Sequence, residues 1–372
     1  MKKTRIARRF IGDNEIVDIL PVGGGNINDT YLVVHRPPLA EEKRFIMQRL
    51  NGNVFPSPAD VMHNLKVVTE HVKMQVDAAA AAAAADREWQ FPHIIQTTDG
   101  EDYVMDEGEC WRALYFVVSA QTHLEISDLK HAHEAGVVLG EFHRLIGGIH
   151  VNELKDTLPG FHITPLYLKE LEKVVSTDES QQRLSDVPEA TRCYNFIQRR
   201  TFFCSVLEDA KKRGELKERP VHGDPKASNI MISDATYTGI GIIDFDTVKP
   251  GLLHYDFGDC MRSCCNPLGE EAEDIDKIYF DTSMCEAILS GYMSFAADIL
   301  TDADHHYLYD SIRLITLELG LRFFTDFLAG DKYFKVQDEF QNLRRARNQL
   351  KLCKSIEIQE STIRKALKIG RK

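Results

Sequence analysis

The run His222-Gly223-Asp224-Pro225-Lys226-Ala227-Ser228-Asn229, followed at a short distance by Ile243-Asp244-Phe245-Asp246, decides how the chain is read. Between the two runs lie Ile230-Met231-Ile232 and Gly239 to Ile243, short apolar stretches that predict a hairpin. Asp224 and Asn229 then stand on a loop, and Asp244 stands where the hairpin ends. The flanks are helical. Upstream, Ala132, Ala135, Leu139, Phe142 and Leu145 or Ile146 share one helical face from about Asp128 until Gly147-Gly148 stops it. A further long helix is predicted over about Ala190 to Arg213, and three or four more from Asp274 onward.

The first third alternates instead. Glu15 to Val22 and Asp29 to His35 flank Gly23-Gly24-Gly25-Asn26, which predicts a hairpin with a glycine turn. A third strand is expected from about Arg44 to Leu50, with Ile46 and Gln48 on one face and Met47 and Arg49 on the other. Phe91 to Gln96, Asp102 to Met105 and Trp111 to Val118 read as strands, with Asp99-Gly100 as a hairpin turn between the first two. After Pro56-Ser57-Pro58, the residues Val61, Leu65, Val68 and Val72 mark what is expected to be the only helix of this region. The tract Ala78 to Ala85 extends that helix or fills a loop. Together these elements predict an α+β, protein-kinase-like bilobal fold. An antiparallel sheet with one main helix forms a nucleotide-binding lobe over 1–119. A larger helical lobe with an embedded catalytic hairpin follows over 120–372, with catalysis and substrate binding.

Bulk composition narrows the function. A chain of 372 residues exceeds what one core usually supports, so two lobes meeting at a cleft are the default. Asp and Glu outnumber Lys and Arg by 57 to 45, a net charge of -12 that argues against a nucleic-acid or anionic-membrane partner. The eight cysteines are scattered, and Cys260, Cys264 and Cys265 downstream of His254 lack the paired spacing of structural zinc, so reduced, buried thiols in a cytoplasmic protein are expected. No apolar run approaches the roughly 20 residues that cross a bilayer. Oligomeric state is not legible, a monomer being the default.

The quoted run carries a specific chemistry. Phosphoryl transfer needs an acceptor oxygen held in line, Mg²⁺ on the phosphates and a carboxylate to take the hydroxyl proton. In the pattern H-x-D-x₄-N followed by an Asp after a hairpin, Asp224 is the base, and Asn229 and Asp244 are the Mg²⁺ ligands. Lys226 is placed to reach the γ-phosphate of ATP. His222 is expected as a buried hydrogen-bonding scaffold, Asp246 as a further metal group, and Asp256 and Asp259 as carboxylates that hold the loop by its backbone N–H groups. Gly24 and Gly25 lie where amides cover nucleotide phosphates, and Phe116 and Val117, within the Tyr115 to Ser119 hinge, lie where backbone reads adenine. No G-x₄-G-K-[ST] run occurs, so the P-loop architecture is excluded.

These residues resemble the aminoglycoside phosphotransferase and choline kinase superfamily, for which H-G-D-x₄-N and I-D-F-[DE] are characteristic. Within it the chain resembles the N-acetylhexosamine 1-kinases. That likeness rests on Gly25 to Val33, Phe45 to Asn51, Val54-Phe55-Pro56, the catalytic segment, Asp256 to Asp259, and Gly320 to Phe323 through Gly330 to Phe334. It implies transfer of the ATP γ-phosphate to the anomeric hydroxyl of N-acetylglucosamine or N-acetylgalactosamine, with Mg²⁺. Arg322 and Tyr333 match the Arg and Tyr that line the sugar pocket, and Asp224 matches the residue that contacts the anomeric oxygen. Two positions depart from the pattern. Asn26 stands in the sugar-contacting loop where the family commonly has His, and Gln48 stands where related kinases place the third-strand Lys that pairs the α- and β-phosphates. Gln48 is the nucleotide-site residue at that position. The alternatives are a kinase of another small hydroxyl acceptor (choline or an amino alcohol, another sugar, an aminoglycoside) or a non-catalytic nucleotide- or sugar-binding pseudokinase.

Overall fold

The computed structural model describes residues 2–22, 27–81, 87 and 89–369. The N-terminal region is built on one sheet. It comprises helix α1 (Lys2–Ile11), strands β1 (Glu15–Pro21), β2 (Asp29–Arg36) and β3 (Lys43–Arg49), helix α2 (Pro58–Ala81), and strands β4 (Ile94–Ile95), β5 (Val104–Asp106) and β6 (Glu109–Tyr115). The antiparallel order is β1-β2-β3-β6-β4, with β5 also on β6. Strand β3 occupies one edge of β6, and β4 and β5 follow each other end to end along the opposite edge, through Ile94↔Leu114, Ile95↔Ala113 and Val104↔Trp111.

That register corrects the expected hairpin at Asp99-Gly100. A turn is present there, Gly100 donating its N–H to Thr97 at 2.9 Å with φ +86°, but it joins two strands that both pair with β6 and not with each other. The hairpin partner of β5 is β6, reached through Glu107-Gly108.

The two faces of the sheet have different cores. Val33, Phe45, Met47, Trp111 and Ala113 point outward and are covered by Ile6, Ala7 and Phe10 of α1. This helix was not expected, because its apolar stripe is three residues wide in a run of Lys and Arg. Those cations are held by the sheet's carboxylates, Arg5 on Asp106 (2.7 Å) and Lys2 on Glu109 (2.8 Å). On the inner face Leu114 and Cys110 join Val61, Leu65, Val68 and Val72 of α2. Ala78 to Ala81 continue α2, and the rest of the alanine tract lies outside the described residues.

The C-terminal region begins with β7 (Ala120–Gln121) and α3 (Leu129–Ile146), whose N-cap Asp128 accepts the His131 N–H. Then come α4 (Thr164–Val175), α5 (Asp178–Asp186), α6 (Pro188–Gln198), α7 (Val206–Lys212), and strands β8 (Arg219–Val221), β9 (Ile230–Ser233), β10 (Gly239–Ile242) and β11 (Lys249–Gly251). Helices α8 (Leu253–Cys264), α9 (Thr282–Ala296), α10 (Asp302–Ala329), α11 (Gln341–Ile358) and α12 (Glu360–Ile369) complete it. The helix expected over 190–213 is broken into α6 and α7. A 3-10 turn at Thr201–Phe203 separates them, where Arg200 turns to Glu357 (2.6 Å) and Phe203 is buried under Arg313 (3.8 Å). Distant partners impose that break, and no local Gly or Pro announces it.

Helices α3 and α9 pack backbone to backbone, since a Cβ on Gly136 would come 1.9 Å from the Ile288 carbonyl and one on Gly291 2.0 Å from that of His133. Their shared core includes Cys260, Cys264, Cys265 and Cys285, all fully buried. His254, also buried, spends Nε2 on the Asp304 carbonyl at 2.9 Å. No helix among the described residues is long and apolar enough to cross a membrane. The chain is thus a bilobal α+β molecule, with β8 to β11 forming the floor between sheet and helices.

Candidate active site

The His222 to Asn229 run leaves β8, and one carboxylate holds its backbone. Asp256, on the first turn of α8, accepts the N–H groups of His222 (2.6 Å) and Gly223 (2.7 Å) and takes Nε2–H of His143 (2.9 Å). Burial works against its charge, but these donors, His143 first among them, hold its carboxyl below the usual range. Asp259 does not share this work. It pairs with Arg262 of its own helix (2.8 Å), so the expectation that it binds the loop backbone is corrected. The side chain one turn earlier already occupies both backbone donors.

Gly223 cannot be replaced locally. Its φ is +88°, and a Cβ there would approach the Thr247 carbonyl to 2.7 Å. His222 is fully buried, its Nδ1 accepting the Asp224 N–H (3.2 Å) and its Nε2–H donating to the Ile243 carbonyl (3.0 Å). Burial pushes its pKa down, which matches the neutral tautomer assigned from those bonds. His222 therefore ties the loop carrying Asp224 to the residue before Asp244.

Asp224, Lys226 and Asn229 converge. Lys226 Nζ lies 2.5 Å from Asp224 Oδ2, and Asn229 Nδ2 donates to the Asp224 carbonyl (2.7 Å). Burial opposes the lysine's charge, but Asp224 and Asp244 outweigh it and raise its pKa, so it stays protonated. The bonds to Asp224 fall on Oδ2, which leaves Oδ1 free of protein donors among the described residues.

Asp244 is held in the left-handed region (φ 70°, ψ 65°), a conformation that costs a non-glycine residue roughly 1–3 kcal/mol. Its carboxylate receives no hydrogen bond among the described residues. Desolvation by the surrounding walls, then the Asp246 carboxylate, push its carboxyl up to about 7, against Lys226, although its outer edge is open to the cleft. A donor-free carboxylate beside Asn229, whose Oδ1 is also uncommitted, is the hard-oxygen pair that suits Mg²⁺. When bound, Mg²⁺ would offset phosphate charge at that point.

The shift has a measurable sign. The folded Asp244 keeps its proton until about pH 7, whereas the ordinary value is 3.8, so in metal-free buffer stability falls as pH rises between these values. Asp244→Asn is expected to unfold at a higher temperature than the parent at pH 8 and at the same temperature near pH 4. Mg²⁺ should stabilise the parent at pH 8 and not the variant. Identical melting curves at pH 8 would contradict the assignment.

Asp246 is not an open metal ligand. Its Oδ2 accepts Asn28 Nδ2 (2.6 Å), and its Oδ1 faces the Arg112 guanidinium at 2.5 Å. Gln48 is also engaged, accepting from Arg112 Nη2 (2.7 Å) and Nε (3.0 Å) and donating to Thr30 Oγ1 (3.1 Å). Arg49 points the other way, onto Asp29 and Glu109. Phe116 and Val117 follow β6 directly and form no backbone hydrogen bond to another described residue. Gly24, Gly25 and Asn26 lie outside the described residues.

A second cluster lies beyond Asp224. Arg322 on α10 has no carboxylate partner among the described residues and sits among rings, its Cζ 5.0 Å from Phe161, 5.1 Å from Tyr167, 5.5 Å from Phe334 and 5.9 Å from Tyr333. Burial opposes its charge, yet Tyr167, Tyr333, Glu318 and Asp224 raise its pKa. The segment bearing Tyr333 is shaped by Asp326, which accepts the N–H groups of Lys332, Tyr333 and Phe334 at 2.9 Å each. One turn before Arg322, Glu318 accepts Nδ1–H of His162 (2.9 Å), whose Nε2–H donates to the Gly223 carbonyl (2.7 Å). Both partners are acceptors, so this imidazole is doubly protonated, and it couples the ring-lined pocket to the catalytic loop. Sequence reasoning missed Arg112, His162, Glu318 and Asp326. A buried Arg within Cys110-Trp111-Arg112-Ala113-Leu114 was the one local signal.

A profile of the phosphotransferase enzyme family matches residues 18–285. The fold is similar to that of an aminoglycoside phosphotransferase from Alicyclobacillus acidocaldarius, at a TM-score of 0.60 and 13% identity over 98% of this chain and 96% of that one. It is also similar to a microcompartment-associated aminopropanol kinase (TM-score 0.55, 17% identity, 95% and 94% covered). A spectinomycin phosphotransferase in complex with ADP and spectinomycin has a TM-score of 0.53 at 12% identity, with 95% and 98% covered. At these identities the likeness to solved structures concerns the fold.

Proposed function

The chain belongs to the phosphotransferase enzyme family, and from that premise we propose that it transfers the ATP γ-phosphate to the anomeric hydroxyl of an N-acetylhexosamine, giving the sugar 1-phosphate. Residues 1–119 are the nucleotide lobe and 120–372 the catalytic and acceptor lobe. Asp224 Oδ1 takes the acceptor proton, Lys226 meets the transferring phosphate, and Asn229 and Asp244 hold Mg²⁺. Phe116 and Val117 present their backbone to adenine.

The observation that carries the choice of acceptor is Arg322, without a carboxylate partner among the described residues and set among Phe161, Tyr167, Phe334 and Tyr333. Ring faces suit the apolar face of a pyranose, and a guanidinium donates to the acetamido carbonyl and neighbouring hydroxyls. A fixed guanidinium in this ring cluster repels a polycationic aminoglycoside or a charged amino alcohol. The test is ADP release from ATP and Mg²⁺ with both acetamido epimers, their non-acetylated parents, ethanolamine, choline and an aminoglycoside. Turnover of an acetamido sugar at least about tenfold above its parent is expected, equivalent to one good hydrogen bond of about 1.4 kcal/mol. Turnover confined to the cationic acceptors would overturn the proposal.

A further inference from the structure

Third-strand Gln48 leaves the cleft without the lysine that related kinases aim at the α- and β-phosphates, and the structure holds a cation one strand away. Gln48↔Arg112 is a register pair of β3 and β6, so the two side chains share the inner face of the sheet. Thr30, Gln48 and Arg112 form one hydrogen-bonded row, and Arg112 Nη2 lies in ion-pair contact with Asp246 Oδ1, which has no hydrogen bond of its own among the described residues. Gln48 Oε1 accepts from both Nε and Nη2 and so fixes the plane of the guanidinium. Arg112 is only 1% exposed, and its Nη1 has no hydrogen-bond partner among the described residues, although a buried guanidinium donor ordinarily finds one.

The surroundings lack the rest of the usual arrangement as well. In protein kinases the lysine is oriented by a glutamate on the helix packed against the sheet. Here that helix is α2, and its buried polar residues are Asn64, which bonds the carbonyls of Lys155 and Val248 at 2.8 Å, and Thr69, which bonds the Leu65 carbonyl. Its Glu70 and Asp77 are exposed. The buried cation–carboxylate pair beneath this sheet is Arg112 with Asp246. Arg112 thus ion-pairs with Asp246, two residues beyond the carboxylate assigned to the metal.

We propose that Arg112 is the nucleotide-phosphate-binding cation of this chain, oriented by Gln48 and neutralised by Asp246 until Nη1 takes a phosphate oxygen. The proposal rests on the phosphotransferase reading above and deepens it. A fork-shaped guanidinium can keep Gln48 and Asp246 while offering Nη1, which the point charge of a lysine could not do.

The test is calorimetry on the full chain with Mg²⁺, measuring the Kd of ADP and of adenosine for the parent, for Arg112→Gln and for the swap Gln48→Lys/Arg112→Gln. Loss of one charge-assisted bond is expected to raise the Kd of ADP about 10- to 100-fold in Arg112→Gln, while that of adenosine is unchanged. The swap returns the cation to the third strand and should recover at least tenfold of the loss. Unchanged ADP affinity in Arg112→Gln, or an equal loss for adenosine, would overturn the proposal. If Arg112→Gln does not fold, the swap decides alone: weak ADP binding with parental adenosine binding overturns it, and ADP binding within about threefold of the parent supports it. A parent that binds neither ligand would instead overturn the nucleotide reading itself.

Discussion

Asp224→Asn is expected to lower turnover by about a thousandfold while leaving the affinity for ADP unchanged. The carboxylate stands on a loop whose backbone is fixed by Asp256 and His222, so the amide keeps its place and the loop keeps its shape. What disappears is the acceptor at Oδ1, the oxygen that no protein donor occupies. Lys226 keeps the remaining carbonyl oxygen as a partner, and nothing in the nucleotide half of the cleft is disturbed. Initial rates and ADP titration on the same preparation measure the two halves separately. Turnover within tenfold of the parent would remove Asp224 as the base.

Asp256→Ala is expected to be the most destabilising single change at the site, by about 3–5 kcal/mol. The side chain is fully buried and serves two backbone donors and His143 together. Truncation leaves all three unpaired in a core that water does not reach, and each unsatisfied group costs about 1–3 kcal/mol. Chemical denaturation at neutral pH should therefore show a lower midpoint. Turnover should fall with it even where the variant is folded, because the backbone carrying Asp224 loses its anchor.

Much of the site was legible because phosphoryl transfer concentrates its residue types in one loop. Asp224, Lys226 and Asn229 lie within six positions of each other, and the apolar hairpin that follows places Asp244. The bilobal fold was legible for a related reason: period-two alternation runs through the strands up to β6, and helical periodicity takes over from α3. Arg112 was hidden because its role depends on the pairing of β3 with β6, a register that local patterns do not specify. The same blindness produced the misplaced hairpin at Asp99-Gly100, where a true turn joins strands that share a third partner. Helix α1 escaped because a stripe of Ile6, Ala7 and Phe10 looks like a basic tail until the sheet's acidic edge is there to receive it. His162 and Glu318 are 156 residues apart and meet only when α10 packs behind the catalytic loop.

The central claim is transfer to an anomeric oxygen, and proton-coupled ³¹P NMR of the product formed from ATP, Mg²⁺ and N-acetylglucosamine or N-acetylgalactosamine tests it most directly. A phosphate on the anomeric oxygen has a single proton on the attached carbon, so a doublet that collapses on irradiating the anomeric proton is expected. A triplet, from phosphate on a primary hydroxyl, or no new phosphomonoester signal with either sugar, would contradict the claim.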